Sequence, residues 1–488
     1  MCIQPRLLHP GRYSPSQALR TSLLVDNVQS IPYDASTPAP AGRGESTIMR
    51  FDADLTVSTL GPCTHDSPLG LNITEGDEIA NYVEPYARIL AHAELGEVMA
   101  YVTLGETPPS FELAGPRSKI FFAPERTRAA IVTCGGLCPG LNNVIRGLTL
   151  QLWNRYGVRQ VLGVRYGYMG LNPECHLPLV PLTPEAVAEI HEHGGTFLGS
   201  SRGPQDIGVM VDTLVREQID ILYALGGDGT LSGAQAIFEE IRRRGARIAV
   251  VGVPKTIDND VPYISQTFGF DTAVDEAARA IRAAHVEAAG APCGVGVVKL
   301  MGRYSGYIAA SAALASREVS LVLIPEQRFD LAGDHGVLAY VERVVRDRTQ
   351  AVIVVAEGAG QHLVEGDAAK DASGNVKLKD IGLYLSDALK THFKARNLDL
   401  NLKYIDPSYL IRAAPANSKD AIYCGSLAEH AAHAGMAGKT GCVVGRWSDR
   451  FTLVPLAAAT SARKVVDLES ELWRSTLEST GQPPMLHA

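Results

Sequence analysis

The chain has 488 residues, of which 46% are hydrophobic, 20% charged and 6% aromatic, with 47 Gly, 28 Pro and 8 Cys. That length exceeds what one compact core usually supports, so two domains or a domain with extensions are expected, and the apolar fraction excludes a wholly disordered chain. With 45 basic against 53 acidic residues and a net charge of −8, broad nucleic-acid binding and, for want of an apolar run of ~18 residues, membrane spanning are both disfavoured, which leaves a small-molecule protein.

Residues 1–25 carry Arg6, Arg12 and Arg20 among Ser and Thr with no acidic residue, a composition shared with organelle transit peptides. The wider stretch 1–48 is rich in Pro and small polar residues and stops just before Met49. It is expected to be a disordered extension, or translation upstream of the true start. Residues 49–125 read as an N-terminal accessory segment, with DADLTVSTLGP as a strand and turn and EIANYVEPYARILAH as one short helix. None of the cysteines forms a CxxC pair, and Cys134 and Cys138 lack the partners of a zinc site, so reduced thiols are expected.

From residue 126 the pattern changes. RAAIVTCGG is a β-branched apolar run ending at Gly135 and Gly136, and the next segment places Val144, Ile145, Leu148 and Leu152 at helical spacing. IDILYALGGDGT and its following helix repeat that strand, Gly-rich loop and helix order, and RIAVVGVPKTIDND is a strand ending in a polar loop. CGVGVVKLMGRYSGYIAASAALAS is again strand, turn and helix, while SLVLIPE and QAVIVVAEGAG are two more buried strands. Continuous apolar runs separated by helices indicate an α/β fold with largely parallel sheets, doubly wound and in two lobes.

In such sheets ligands bind beyond the carboxyl ends of the strands. Those positions hold Gly135 and Gly136, then Gly227-Asp228-Gly229-Thr230, Lys255-Thr256-Ile257-Asp258-Asn259-Asp260, Met301-Gly302-Arg303, and Glu357-Gly358. Glycines at a strand-to-helix turn let backbone N–H groups approach an anion. Beside phosphates a carboxylate at 228 suits a Mg²⁺ ligand, though a helix cap is the alternative. Asp258 and Asp260, two residues apart, can divide the roles of general base and orienting acid, or form a solvated Asx turn. Arg202 and Arg303 lie in Gly-flanked loops where a guanidinium can reach a phosphate. Together these are the parts of a phosphoryl-transfer site: positioning, metal, base and charge stabilisation. There is no GxxxxGK[ST] and no HRD with DFG, and CGGLCPG lacks the GxGxxG spacing of dinucleotide folds.

TCGGLCPGLNNVIRG, GGTFLGSSRGPQD, LGGDGT, VPKTIDND, FGFDTAV, GVVKLMGRYSGYIA, VAEG and KYIDPSYLIRAAPANSKDA occur in that order from about residue 127 to 470. In these pieces the sequence resembles the phosphofructokinases, and within them the long-chain group of trypanosome and plant ATP-dependent enzymes, which lies close to the pyrophosphate-dependent branch. The resemblance implies transfer of a phosphoryl group from ATP to the 1-hydroxyl of fructose 6-phosphate, with Mg²⁺. It implies that Gly136, Arg202, Gly203 and the Gly227–Thr230 loop hold the nucleotide, with Asp228 on the metal. Thr256, Ile257 and Asp258 would meet the sugar, with Asp258 as proton acceptor. Met301, Gly302, Arg303, Glu357, Tyr409, Leu410, Ile411 and Arg412 would bind fructose 6-phosphate, and Lys403 would add a cation. Arg202, Arg303 and Asp260 would assist catalysis.

Two positions bear on the donor. The pyrophosphate-dependent branch usually has Asp where this chain has Gly229, and Lys where it has Lys255, so the chain is mixed. The absence of a side chain at 229 leaves room for the nucleotide's α-phosphate, and Lys255 suits either donor, so ATP is expected. Leu137 stands where short bacterial members carry an acid. By the same resemblance the nucleotide lobe is residues 126–260, completed by part of 405–470, the sugar-phosphate lobe is 261–404, and residues 405–488 return across both. A homodimer or homotetramer is implied; PPMLHA at the C-terminus is not an SKL-type peroxisomal address, so cytoplasm is the default expectation, and a catalytically silent sugar-phosphate sensor is the alternative from another class.

Overall fold

The computed structural model describes residues 53–364 and 377–487; the expectations for residues 1–48 lie outside the described residues. The apolar runs fold as strands whose alternate residues enter two different cores. In Arg128–Thr133, Ala129 and Ile131 face one core while Ala130 and Val132 face the other, and in Ile221–Gly226, Tyr223 and Leu225 oppose Leu222 and Ala224. Both faces are therefore covered by helices, which explains why these strands read as unbroken hydrophobic runs. Helix Leu141–Leu150 contributes Val144, Ile145 and Leu148 to the first core. Helices Ile207–Arg216 and Asp228–Arg243 close the second with Met210, Leu214, Leu231 and Ile237.

Among the described residues the large sheet has nine strands. Its parallel centre is Gln160–Val164, Arg128–Thr133, Ile221–Gly226, Ala249–Pro254 and Cys442–Trp447, in that spatial order. The hairpin strand Arg450–Pro455 then joins antiparallel, followed by Ser110–Leu113 and Arg88–Leu90, and Val180–Pro181 closes the other edge. Residues 88–113 thus extend this sheet. The short helix expected in residues 78–92 is replaced by loop and the strand Arg88–Leu90, and the helix lies later, at Leu95–Thr103. Pro85 interrupts the former stretch, and Ile89 packs against the second core. The strands Gln160–Val164 and Val180–Pro181 carried no clear signal of their own.

The small sheet is all parallel: Leu321–Leu323, Gln350–Ala356, Gly294–Leu300 and Asn401–Ile405. On one face Val298, Leu300 and Val354 join the core that also serves the large sheet, through helices Phe270–Ala289 and Tyr307–Ser316. On the other face Val297, Ile353 and Val355 pack on helices Val337–Arg348 and Ile381–Ala395. The α/β class with largely parallel sheets holds. One hydrophobic core continuous between the two sheets fixes where their carboxyl ends face each other. Among the described residues no helix is long and apolar enough to cross a membrane.

Candidate active site

A cleft of about 880 Å³ opens where the carboxyl ends of strands from both sheets converge. It is lined by Gly135 and Leu137 and by sixteen of the expected site residues: Gly136, Arg202, Gly203, Gly227, Asp228, Gly229, Thr230, Lys255, Thr256, Ile257, Asp258, Asp260, Met301, Arg303, Glu357 and Arg412.

The first wall is made of backbone. Gly135 adopts a left-handed φ of 84°, donates its N–H to the carbonyl of Ser201 at 3.1 Å and accepts the Ser200 hydroxyl at 2.6 Å, which fastens the Gly135-Gly136 turn to the Arg202 loop. A Cβ at Gly136 would stand 3.2 Å from Arg202 Nη2. Gly227 precedes helix Asp228–Arg243 and accepts the N–H groups of Thr230 and Leu231 at 2.9 Å each. The first turn of that helix lines the cleft, so its positive end faces the cavity. A Cβ at Gly229 would meet no atom within 4 Å.

Between the walls lies the loop after Ala249–Pro254. Lys255 is buried, donates to the carbonyl of Gly136 at 2.6 Å, and has its ammonium pKa lowered by burial. Thr256 Oγ1 accepts the N–H of Asp258 at 3.1 Å. Asn259, at φ 52°, accepts the N–H of Thr267 at 3.1 Å, and the Thr267 hydroxyl donates to the carbonyl of Thr256 at 2.6 Å. The middle amide of Asp-Asn-Asp therefore holds the loop, and the two acids face the cavity. Burial pushes the Asp258 carboxyl well above the ordinary carboxylate range, reinforced by the charges of Asp260 and Glu357 and opposed by Arg412 and Arg303. Its Oδ1 is buried with no hydrogen-bond partner among the described residues. Asp260 and Glu357 are also raised, in both cases chiefly by burial.

The opposite wall follows Gly294–Leu300. Met301 and Arg303 line the cleft, while Gly302 does not: at φ 128° it closes the turn, and its carbonyl accepts the N–H of Gly358 at 3.1 Å. Helix Ser408–Ala413 divides its expected contributors. Arg412 lines the cleft and Ile411 is buried in the core, whereas Tyr409 and Leu410 are 84% and 71% exposed and lie outside the cleft lining. Lys403 also lies outside it, 3.8 Å from Glu287 Oε2.

Sequence reasoning missed Tyr168, Tyr304 and Arg463, all of which line the cleft. The Tyr168 hydroxyl donates to the carbonyl of Thr230 at 2.7 Å. Arg463 Nη2 donates to Asp228 Oδ2 at 2.7 Å, and its guanidinium carbon sits 3.9 Å from the centre of the Tyr304 ring. Among the described residues no group of three or more His, Cys, Asp or Glu forms a protein cage for a metal. A half-exposed carboxylate at a helix N-terminus is a group that Mg²⁺ uses together with phosphate oxygens, so Asp228 fits that ion.

The phosphofructokinase family profile matches residues 128–435. An ATP-dependent 6-phosphofructokinase of Amycolatopsis methanolica is 49% identical over 437 residues, covering 88% of this chain and 95% of that one. Its counterpart in Trypanosoma brucei brucei is 50% identical over 377 residues, 77% of each chain, and ATP-dependent 6-phosphofructokinase 7 of Arabidopsis thaliana is 50% identical over 379 residues, 77% of this chain and 78% of that one. Among solved structures, the pyrophosphate-dependent phosphofructokinase of Marinobacter aquaeolei superposes with a TM-score of 0.60 at 21% identity, covering 74% of this chain and 92% of that one. That likeness extends to the fold alone. With a profile match running from the first strand of the glycine-rich wall to the helix behind it, and relatives at this identity along most of the chain, the protein belongs to the phosphofructokinase family.

Proposed function

We propose that the protein transfers the γ-phosphoryl group of ATP to the 1-hydroxyl of fructose 6-phosphate, giving fructose 1,6-bisphosphate and ADP in glycolysis. The observation that carries this reading is Asp258: a carboxylate with a raised pKa and a buried oxygen that has no partner among the described residues, in a cleft of about 880 Å³ lined also by the glycine loops and by Arg303 and Arg412. A base in that setting accepts the proton that the attacking hydroxyl must lose. The names carried by the 44–50% identical relatives support ATP as donor.

The residues act by placement and charge. The Gly135-Gly136 turn and the terminus of helix Asp228–Arg243 offer N–H groups to the phosphate chain, and the open space at Gly229 admits a nucleotide. Asp228 would hold a Mg²⁺, which when bound neutralises charge on the phosphoryl oxygens. Arg303 and Arg202 face the transferring group, and Arg412 and Glu357 orient the sugar phosphate and its hydroxyls. Lys255 joins the two walls through the Gly136 carbonyl and is compatible with the same anion. We further propose a homodimer or homotetramer, supported by the exposed Tyr409 and Leu410 beside Arg412.

Purified protein with Mg²⁺ and fructose 6-phosphate should consume ATP, form the bisphosphate and leave pyrophosphate unused. Strong turnover with pyrophosphate overturns the donor assignment. Binding of fructose 6-phosphate without product from either donor overturns the enzyme assignment in favour of a sensor.

A further inference from the structure

Arg463, which pairs with Asp228, lies outside every motif that the sequence offered. The two side chains are 32% and 42% exposed, and an ion pair so open to water contributes little to stability. Its setting is unusual for a merely structural contact. The guanidinium lies over the Tyr304 ring, lines the donor side of the cleft, and is delivered by a segment fixed residue by residue. Lys464 donates its backbone N–H to the carbonyl of Asp260 at 2.9 Å and its ammonium to the carbonyl of Ile264 at 2.7 Å. The Tyr307 hydroxyl donates to the carbonyl of Val465 at 2.7 Å. The N–H of Val466 donates to Glu326 Oε1 at 2.7 Å, and the same oxygen takes the N–H of Gly306 at 2.9 Å. Three residues in a row thus anchor the arm behind Arg463 to loops from both sheets.

We propose that Arg463 is a donor-binding residue: a cation that grips the phosphate chain of the nucleotide while holding Asp228 in place. This rests on the phosphoryl-transfer reading of the cleft. A guanidinium has five N–H donors in a planar fork, so one bond to a carboxylate oxygen does not exhaust it, and stacking on Tyr304 sets the plane of the rest. Charge points the same way. The cleft is lined by five cationic and four acidic side chains; counted by formal charge, Arg463 supplies the cationic excess it offers to two polyanionic substrates. Holding Asp228 by Oδ2 also keeps its Oδ1 available to a divalent ion, so the two cations share one carboxylate.

The test compares wild type with Arg463→Met and Arg463→Lys in steady-state kinetics and, by calorimetry, in binding of Mg²⁺-free ATP. Loss of a charge-assisted hydrogen bond should raise KM for ATP and weaken Mg²⁺-free ATP binding by about ten-fold or more in Arg463→Met, with KM for fructose 6-phosphate within about two-fold of wild type. Arg463→Lys should recover part of both. Unchanged ATP binding overturns the proposal, and so does an equal rise in both KM values, which would make the arm a mechanical brace. If the wild type itself shows no turnover with ATP, the functional reading fails, and the calorimetry still decides whether Arg463 holds the nucleotide.

Discussion

Thr256 Oγ1 donates to Asp260 Oδ1 at 2.9 Å while accepting the backbone N–H of Asp258 at 3.1 Å, so a single hydroxyl sets the spacing of the two acids at the cleft floor. Ser305 secures the same loop from the other sheet by donating to the carbonyl of Asp258 at 2.8 Å. Thr256→Val keeps the shape and removes both bonds. It is expected to lower kcat by about 10–100-fold through loss of alignment, and Asp258→Ala by about 10²–10⁴-fold or more through loss of the base. Kinetics with saturating ATP, alongside thermal melts showing that both variants fold, provide the check. Near-normal kcat in Asp258→Ala removes this residue from the base role.

The raised pKa of Asp258 gives the activity a pH signature. A general base works only when deprotonated, so kcat/KM should rise with pH, with a midpoint above the ordinary carboxylate value of about 4. Glu357 is one of the negative charges that raise it. In Glu357→Gln the Asp258 pKa falls and the midpoint should move to lower pH, whatever the loss in fructose 6-phosphate affinity. A midpoint that stays put or moves up would show that Glu357 does not act on Asp258 electrostatically. Stability carries the opposite slope. A carboxyl whose folded pKa exceeds its unfolded value binds more protons when folded, so this group's contribution is fully present below about pH 4 and is lost as pH rises through the folded pKa. Asp258→Asn should therefore raise the Tm of the ligand-free protein at pH 8 and leave it nearly unchanged near pH 4.

Asp420 joins two long helices and is not among the residues that line the cleft. Fully buried, it accepts the N–H of Gly269 at 2.9 Å and both the N–H and the hydroxyl of Thr272 at 2.7 and 2.6 Å, thereby capping helix Phe270–Ala289 from within helix Ser418–Met436. Asp420→Ala leaves those buried donors unsatisfied and should destabilise the protein by about 2–4 kcal/mol in chemical denaturation. KM values measured below the melting transition should remain close to wild type, which distinguishes this acid from those in the cleft.

The contrast between Asp258 and Arg463 shows what could be read from the sequence. Asp258 follows an apolar run directly, and topology carries the end of every central parallel strand to the same place, so Gly136, Asp228, Asp258, Arg303 and Glu357 were legible as one site from their positions alone. Arg463 lies in a loop after a hairpin, far along the chain from its partner Asp228, and no periodicity or motif announces such a contact. Helix Ser408–Ala413 shows a second limit. Consecutive residues on a helix point about 100° apart, so Tyr409, Leu410, Ile411 and Arg412 cannot all face one cavity, and solvent, core and cleft each receive a share. The fold was legible in the apolar runs between Arg128 and Ala356, and not at Cys442–Trp447, which was not read as a strand although it too is buried on both faces. It was illegible at the edge strands Arg88–Leu90 and Val180–Pro181, which are too short to display a period.

Gly229 and Gly302 were both expected at the site, and the structure separates them. At Gly302 the backbone sits at φ 128° and a Cβ would come within 2.4 Å of the Ser305 carbonyl oxygen, so Gly302→Ala should strain the turn that carries Arg303 and destabilise the protein by about 1–3 kcal/mol. At Gly229 a Cβ would meet nothing within 4 Å and φ is not left-handed, so a side chain there changes what the cleft accepts rather than how the chain folds. A carboxylate introduced at 229 lies in the space proposed for the nucleotide and repels its phosphates. Gly229→Asp should melt within about 2 °C of wild type, since exposed substitutions seldom exceed about 0.5 kcal/mol. Its KM for ATP should rise at least ten-fold, about the effect of 1.4 kcal/mol of lost binding, with KM for fructose 6-phosphate little changed. Unaltered ATP kinetics in a well-folded Gly229→Asp protein would mean that the nucleotide does not pass over this glycine, and that donor choice is set elsewhere in the cleft.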